Sequence, residues 1–276
     1  MTLIYIVLAL LCFASNSIIC RLALSNGSIN PIEFTTIRLL SGVFILTLVT
    51  KTGKGRNQDF QLRYFLSAGT LFLYMISFSF AYVNLNTSTG ALLLFGAVQG
   101  TMIIFGFIQG MKIKLLDIVG LLIALLGLIY FFISGWETPT LKGGILMIIA
   151  GVSWGIYSII GGKESNPILA TKRNFSYAIP FAFVSILFIN GLNITFSGGL
   201  YATISGAITS GLGYLVWYTA LRSLKVTQAA VIQLSVPIIT AIGGVIFLSE
   251  IMSLRLILSS IMILGGVGVC FLVRKD

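Results

Sequence analysis

The chain has 276 residues, 57% of them hydrophobic, with 17 Lys+Arg, seven Asp+Glu and no His. Its mean hydropathy is +1.06, and charged side chains make up 9% of it, where an ordinary soluble domain carries about 25%. That composition excludes a soluble globular domain, a disordered chain, a collagen, a nucleic-acid-binding domain and a secreted disulfide scaffold, and it implies a bilayer as the solvent.

Apolar runs of about 20 residues, long enough to cross a bilayer as helices, follow one another along the chain. The first covers Thr2–Cys20; it lacks a basic leader and is read as a retained helix rather than a signal peptide. The second, Pro31–Thr50, opens with Asn30-Pro31-Ile32-Glu33. There Asn is the N-cap, Pro takes the first helical position and Glu completes a capping box. Spans three to five are Leu62–Tyr82, Ser88–Gly110 and Leu115–Ser134. A polar break near Gly135 follows. Spans six to ten are Leu141–Ile160, Asn174–Ile189, Leu200–Leu221, Val226–Leu248 and Leu254–Val273, with Asn166-Pro167 ahead of the seventh. Ten such spans leave only short loops, so the expected fold is an all-α integral membrane protein without a soluble domain.

The excess of basic residues records orientation. With the N-terminus inside the cell, Lys51, Lys54, Arg56, Arg63, Lys112, Lys114, Lys163, Lys172, Arg173, Arg222, Lys225, Arg274 and Lys275 fall on the inner side. Only Arg21, Lys142 and Arg255 fall on the outer side, and Arg38 lies within a span. Thirteen against three is a strong positive-inside bias, so both termini are expected to be cytoplasmic in a multi-pass cell-membrane protein.

The break divides the ten spans into residues 1–135 and 136–276, five spans each. A shift of 139 residues sets span three on eight, four on nine and five on ten, with Ala81 on Ala220, Leu85 on Leu224, Thr101 on Thr240 and Gly127 on Gly266. An odd number of spans per half makes the two halves face opposite ways. Inverted repeats of this kind build transporters whose substrate sits near the midplane between the halves.

Several motifs carry a family resemblance. Phe13-Ala14-Ser15-Asn16 through Arg21 resembles the first-helix signature WGSNFVAIK of the drug/metabolite transporter superfamily, in its ten-span EamA-type exporters. Trp154-Gly155 is similar to the second copy of the WG start, Pro31…Phe34…Arg38 to the P-x-x-F…R pattern, and Val236-Pro237…Ser249-Glu250 to the P…GE pattern. The resemblance covers the whole chain and implies an inverted five-plus-five fold and metabolite export. Phe13-Ala14 departs from the WG start, Val98 stands at the counterpart of Pro237, and Met111 stands where the first half would carry the acid.

Polar groups within spans usually face an interior cavity. Arg38 has two readings: a fixed cation for a substrate carboxylate, or a helix-end, Glu33-bonded or snorkelling arginine. Tyr74 and Phe78 share one face of span three, and Tyr214, Trp217 and Tyr218 lie in span eight. The 139-residue shift pairs Phe78 with Trp217, either as cavity walls or as ordinary packing. Asn16, Trp154 and Tyr157 are similar candidates. Gln99 and Gln233 read as cavity groups or as interhelical hydrogen bonds, and Gln109 lies near the end of span four. Glu33 reads as a cap. The paired glycines Gly143-Gly144, Gly161-Gly162, Gly243-Gly244 and Gly265-Gly266 read as close helix crossings.

No Asp or Glu lies centrally in any span, which disfavours a carboxylate-driven cation antiporter. Cys12, Cys20 and Cys270 have no metal-ligand spacing, and no phosphate-binding loop occurs, so no cofactor or metal is expected. Without histidine or paired acids, a lipid-directed enzyme lacks its chemistry. The expected function is transport of an amino acid or related zwitterion by a monomer. The alternatives are a quaternary ammonium ligand in an aromatic cage and a structural or signalling membrane subunit.

Overall fold

The computed structural model describes residues 2–50, 62–110, 115–132, 140–162, 164–189, 191–224 and 226–272. Lys51, Lys54, Arg56, Lys112, Lys114, Lys163, Lys225, Arg274, Lys275, Met111 and the break at Gly135 lie outside them, as do the side chains of Arg63 and Cys270.

Helices account for the architecture. α1 (Thr2–Ser25), α2 (Pro31–Thr50), α3 (Leu62–Tyr82), α4 (Thr87–Ile108) and α5 (Leu115–Phe132) are the first five spans. The sixth and seventh are α6 (Leu141–Gly161) and α7 (Pro167–Ile186). The eighth joins α8 (Phe196–Ile204), a π-helical segment (Ser205–Leu212) and α9 (Gly213–Leu221). The ninth joins α10 (Val226–Gln233) and α11 (Ser235–Leu248), and the tenth is α12 (Leu254–Leu272). Six of the helices are each long and apolar enough to cross a membrane, and the chain is an all-α membrane bundle.

Local chemistry explains the ends. Asn30 Oδ1 accepts from Ile32 N at 2.9 Å and Glu33 Oε2 accepts from Asn30 N at 3.0 Å, a reciprocal capping box at α2. Asn166 Oδ1 accepts from Leu169 N at 3.2 Å, with Pro167 opening α7. The seventh span thus begins at Pro167, seven residues before the expected Asn174. Lys172 and Arg173 read as loop charges, but both are partnered within the helix's packing. Lys172 Nζ donates to Thr50 Oγ1 at 3.1 Å. Arg173 pairs with Glu164 at 3.0 Å and lies over the Tyr64 ring at 3.3 Å. The ninth span breaks at Leu234 because Pro237 offers no N–H to the carbonyl of Gln233.

The packing is two-fold in pattern. α6 lies against α3 and α4, and α1 lies correspondingly against α9 and α11. α2 packs on α7 at the centre, α4 on α11, and α5 on α12. These contacts between halves exchange with one another or map onto themselves when the two five-span repeats are swapped. The α5–α12 pair stands at the side, with Leu122, Leu125, Leu126 and Ile261 exposed as a lipid face. Gly266 lets their backbones meet: a Cβ there would lie 2.7 Å from Ala124 N.

Candidate functional site

Arg38 lies seven residues inside α2, about 10 Å from its start, and is completely buried. Its Nε donates to Ser210 Oγ at 2.8 Å. Its Nη2 donates to Tyr214 Oη at 2.6 Å and to Tyr74 Oη at 3.4 Å. Its guanidinium carbon stands 5.3 Å from the Phe78 ring centre and 5.5 Å from that of Tyr74, within cation–π range. Nη1, fully buried, has no hydrogen-bond partner among the described residues. Arg38 neither snorkels nor bonds Glu33, whose carboxylate serves Asn30 N and, at 2.7 Å, Asn193 N.

The π-helical segment makes these contacts. Its wide turn presents Ser205, Thr209 and Ser210 toward α1 and α2. Ser205 Oγ and Thr209 Oγ1 donate to Asn16 Oδ1 at 2.7 and 3.0 Å, while Ser210 Oγ receives Arg38. Asn16 Nδ2 in turn donates to Tyr74 Oη at 3.5 Å. Gly206 seats the segment on α2, since a Cβ there would come within 2.7 Å of Arg38 Cα.

Aromatic rings enclose the polar cluster. Trp154 lies 4.6 Å from Tyr214, 5.0 Å from Tyr74, 5.4 Å from Tyr157 and 5.4 Å from Phe13, centre to centre. Tyr214 Oη donates to Tyr74 Oη at 3.1 Å. These tilted and edge-on arrangements are favourable for aromatic pairs. The enclosure holds a cavity of ≈ 10 Å³ lined by Phe13, Ser17, Tyr74, Phe78, Leu94, Phe95 and Trp154. That is at the threshold for one water, so the chamber is closed in this conformation.

Asn16, Arg38, Tyr74, Phe78, Trp154, Tyr157 and Tyr214 are brought together here. Trp217 borders the cluster through Phe13 at 5.5 Å, and its buried Nε1 has no acceptor among the described residues. Phe78 and Trp217, related by the 139-residue shift, have different ring neighbours: Phe78 meets Tyr74 and Tyr82, and Trp217 meets Phe13. Gln233 is buried and accepts from Trp154 Nε1 at 3.2 Å, forming an interhelical bond at the cluster's edge. Gln99 is buried in α4 away from the cavity lining, and Gln109 is exposed at the end of that helix. Phe13, Ser205, Thr209 and Ser210 were not singled out from sequence as lining residues. Phe13 stood at the tryptophan of the family signature, and the run Ser205-Gly206…Ser210-Gly211 was the available signal for the others.

The carboxylates among the described residues sit at helix ends. Glu33 caps α2, Glu164 pairs with Arg173 before α7, and Glu250 caps α4. None contacts Arg38. Around the closed cavity stand a buried cation, hydroxyl groups and aromatic faces, with two N–H donors, Arg38 Nη1 and Trp217 Nε1, that have no partner among the described residues. Such a set can receive a carboxylate by charge and hydrogen bonding and an apolar side chain by packing.

The sequence matches the model of the EamA-like transporter family twice, over residues 1–133 and 141–272. An uncharacterized protein of Pseudomonas aeruginosa is 39% identical over 268 residues, covering 97% of this chain and 93% of that protein. An uncharacterized transporter of Archaeoglobus fulgidus is 32% identical over 124 residues, covering 41% of this chain and 42% of its own. A protein crystal structure with 17% identity shares the fold at a TM-score of 0.71, covering 100% of this chain and 98% of that one.

Proposed function

The chain belongs to the EamA-like transporter family, and from that premise we propose that it exports a small amino acid or related zwitterion by alternating access. It is a multi-pass membrane transporter, not an enzyme. The observation that carries the substrate class is Arg38: a fully buried guanidinium between the two repeats, with one nitrogen unpartnered and no carboxylate in contact among the described residues. A permanently charged group without a counter-ion in a bilayer is costly. A substrate carboxylate entering the chamber would supply the missing charge, and Tyr74, Phe78, Trp154 and Trp217 would pack its side chain.

The fold supports an alternating-access cycle. The two repeats rock about the Arg38 chamber, and each side in turn opens to it. The distribution of Lys and Arg supports cytoplasmic termini in the cell membrane, and five plus five spans support a monomer as the working unit. A quaternary ammonium substrate is disfavoured, because Arg38 would share the aromatic chamber with a second cation.

Flux in proteoliposomes tests this reading. A panel of radiolabelled amino acids should yield a substrate whose transport falls at least about 30-fold in Arg38→Ala, the lower end of breaking a buried charge pair. Trp217→Ala should also impair it. If both variants carry a confirmed substrate like the wild type, the site assignment fails.

A further inference from the structure

On the side where α1 ends and α2 begins lies a second cavity, ≈ 880 Å³, lined among others by Arg21, Asn84, Asn86, Thr140 and Glu250. α1 joins this vestibule to the closed chamber: Arg21 lines the one and Ser17, a single helical turn away, lines the other. The partition along α1 is thus about one turn thick, and the completely buried Tyr82 touches both sides, its ring against Phe78 of the chamber lining and its carbonyl bonded by Arg21 of the vestibule.

We propose that Tyr82 is the gate between vestibule and chamber, and that Arg21 and Glu250 hold it shut. The proposal rests on the transporter reading but not on the identity of the substrate. Four groups form one chain of contacts. Arg21 Nη1 donates to the carbonyls of Tyr82 and Val83 at 2.9 and 2.8 Å, securing the end of α3. Tyr82 Oη donates to the carbonyl of Thr87 at 3.3 Å. Thr87 N and Oγ1 donate to Glu250 at 2.7 and 2.6 Å, with Ser88 N and Oγ at 3.4 Å completing the carboxylate's shell.

The surroundings are shaped for this arrangement. The Tyr82 ring stands edge-on to Phe78 at 4.7 Å, so it touches the chamber wall directly. It lies against Gly90, where a Cβ would come within 2.7 Å of Tyr82 Cζ and 2.8 Å of its hydroxyl. Ser249 adopts φ 53°, a left-handed conformation uncommon outside glycine. It reverses the chain so that Glu250 N donates back to Gly244 O at 3.1 Å while its side chain reaches α4. Gly244 leaves room for that carboxylate, a Cβ there meeting Glu250 Oε2 at 2.7 Å.

The clamp also joins the repeats. Arg21, Tyr82 and Thr87 belong to the first and Glu250 to the second, so rocking one repeat against the other separates Glu250 from α4. That motion releases the Thr87 end of the chain and lets the ring leave its slot.

The test reads the gate without substrate. In a background carrying Cys12→Ala, Cys20→Ala and Cys270→Ala, Ser17→Cys places a thiol behind the gate and Ser25→Cys places one on the vestibule wall. Each purified, reconstituted protein is treated with a membrane-impermeant methanethiosulfonate reagent from the side that labels S25C. S17C should react much more slowly than S25C. Adding Glu250→Gln, which removes the charge from the bonds to Thr87, should speed S17C labelling about tenfold. Gly90→Ala, which evicts the ring, should do the same. S25C labelling should stay constant throughout, reporting an intact fold. The proposal is overturned if S17C already reacts as fast as S25C in the parent, or if neither E250Q nor G90A accelerates it. Failure of amino-acid flux with gating intact would instead refute only the substrate assignment.

Discussion

Replacing Arg38 by Met separates stability from transport. In the closed chamber the guanidinium makes two short hydrogen bonds, to Ser210 at 2.8 Å and Tyr214 at 2.6 Å, and a longer one to Tyr74 at 3.4 Å. Hydrogen bonds to charged groups contribute about 1.5–3 kcal/mol each, and the two rings add about 0.5–2 kcal/mol apiece. Against this stands the burial of a full charge, whose effective penalty is several kcal/mol even after relaxation. Among the described residues no carboxylate contacts Arg38 to offset it. Met fills similar space without the charge, and Tyr214 Oη keeps its bond to Tyr74 at 3.1 Å. Arg38→Met should therefore leave the protein equally stable or up to about 4 kcal/mol more stable. Transport should fall by about 30- to 5,000-fold, corresponding to about 2–5 kcal/mol for a lost charge pair. Thermal unfolding of purified protein and counterflow in proteoliposomes measure the two effects. A Met variant that is more than about 2 kcal/mol less stable yet transports normally would refute the reasoning and make Arg38 a structural residue.

Three further substitutions probe the frame around the chamber, each by unfolding in a common detergent. Tyr214→Phe removes the shortest bond to Arg38 and should destabilise by about 1.5–3 kcal/mol, leaving the guanidinium further undersatisfied. Gly206→Ala places a methyl on the Arg38 backbone and should cost at least about 1–3 kcal/mol, the range for overpacking. Ser249→Gly relaxes the left-handed residue at the end of α11 and should stabilise by about 0.4–1 kcal/mol, because glycine adopts that conformation without steric cost.

How much of this was legible in the chain depended on which physical signal was strong. The start of span two at Pro31 and the end of span three at Tyr82 were readable to the residue, since the Asn30-Pro31-Ile32-Glu33 cap and the apolar runs mark them directly. Asn166-Pro167 marked the start of α7, but the apolar span was drawn from Asn174 because Lys172 and Arg173 look like loop charges until Thr50, Glu164 and Tyr64 are seen to receive them. Composition alone did not reveal the π-helical segment, since a wide turn depends on tertiary contacts rather than on residue type. Most aromatic and polar candidates gathered around Arg38, because apolar spans leave polar groups little choice but the interior. Phe78 and Trp217, related by the repeat shift, have different ring neighbours, because a sequence shift aligns helices but does not fix their rotation. One residue of register turns a helix by about 100°. A separation of 140 rather than 139 residues relates Tyr74 to Tyr214, the rings whose hydroxyls meet at 3.1 Å. Phe13 and Trp154, matched through the two WG-like starts, also touch at 5.4 Å.

The absence of a central acid acquires a structural meaning in this frame. Among the described residues the carboxylates hold helix ends in place, Glu33 at α2 and Glu250 at α4. The buried charge left between the two halves there is the Arg38 cation, and the proposed carboxylate substrate rests on it.

The most direct measurement of that claim is equilibrium binding of an amino acid against its decarboxylated amine to the purified wild-type protein and to Arg38→Gln. The account predicts that the wild type favours the amino acid by at least about 30-fold and that the preference collapses in the variant. Binding of the amine, or of a choline-like cation, as tightly as the amino acid in the wild type would contradict it.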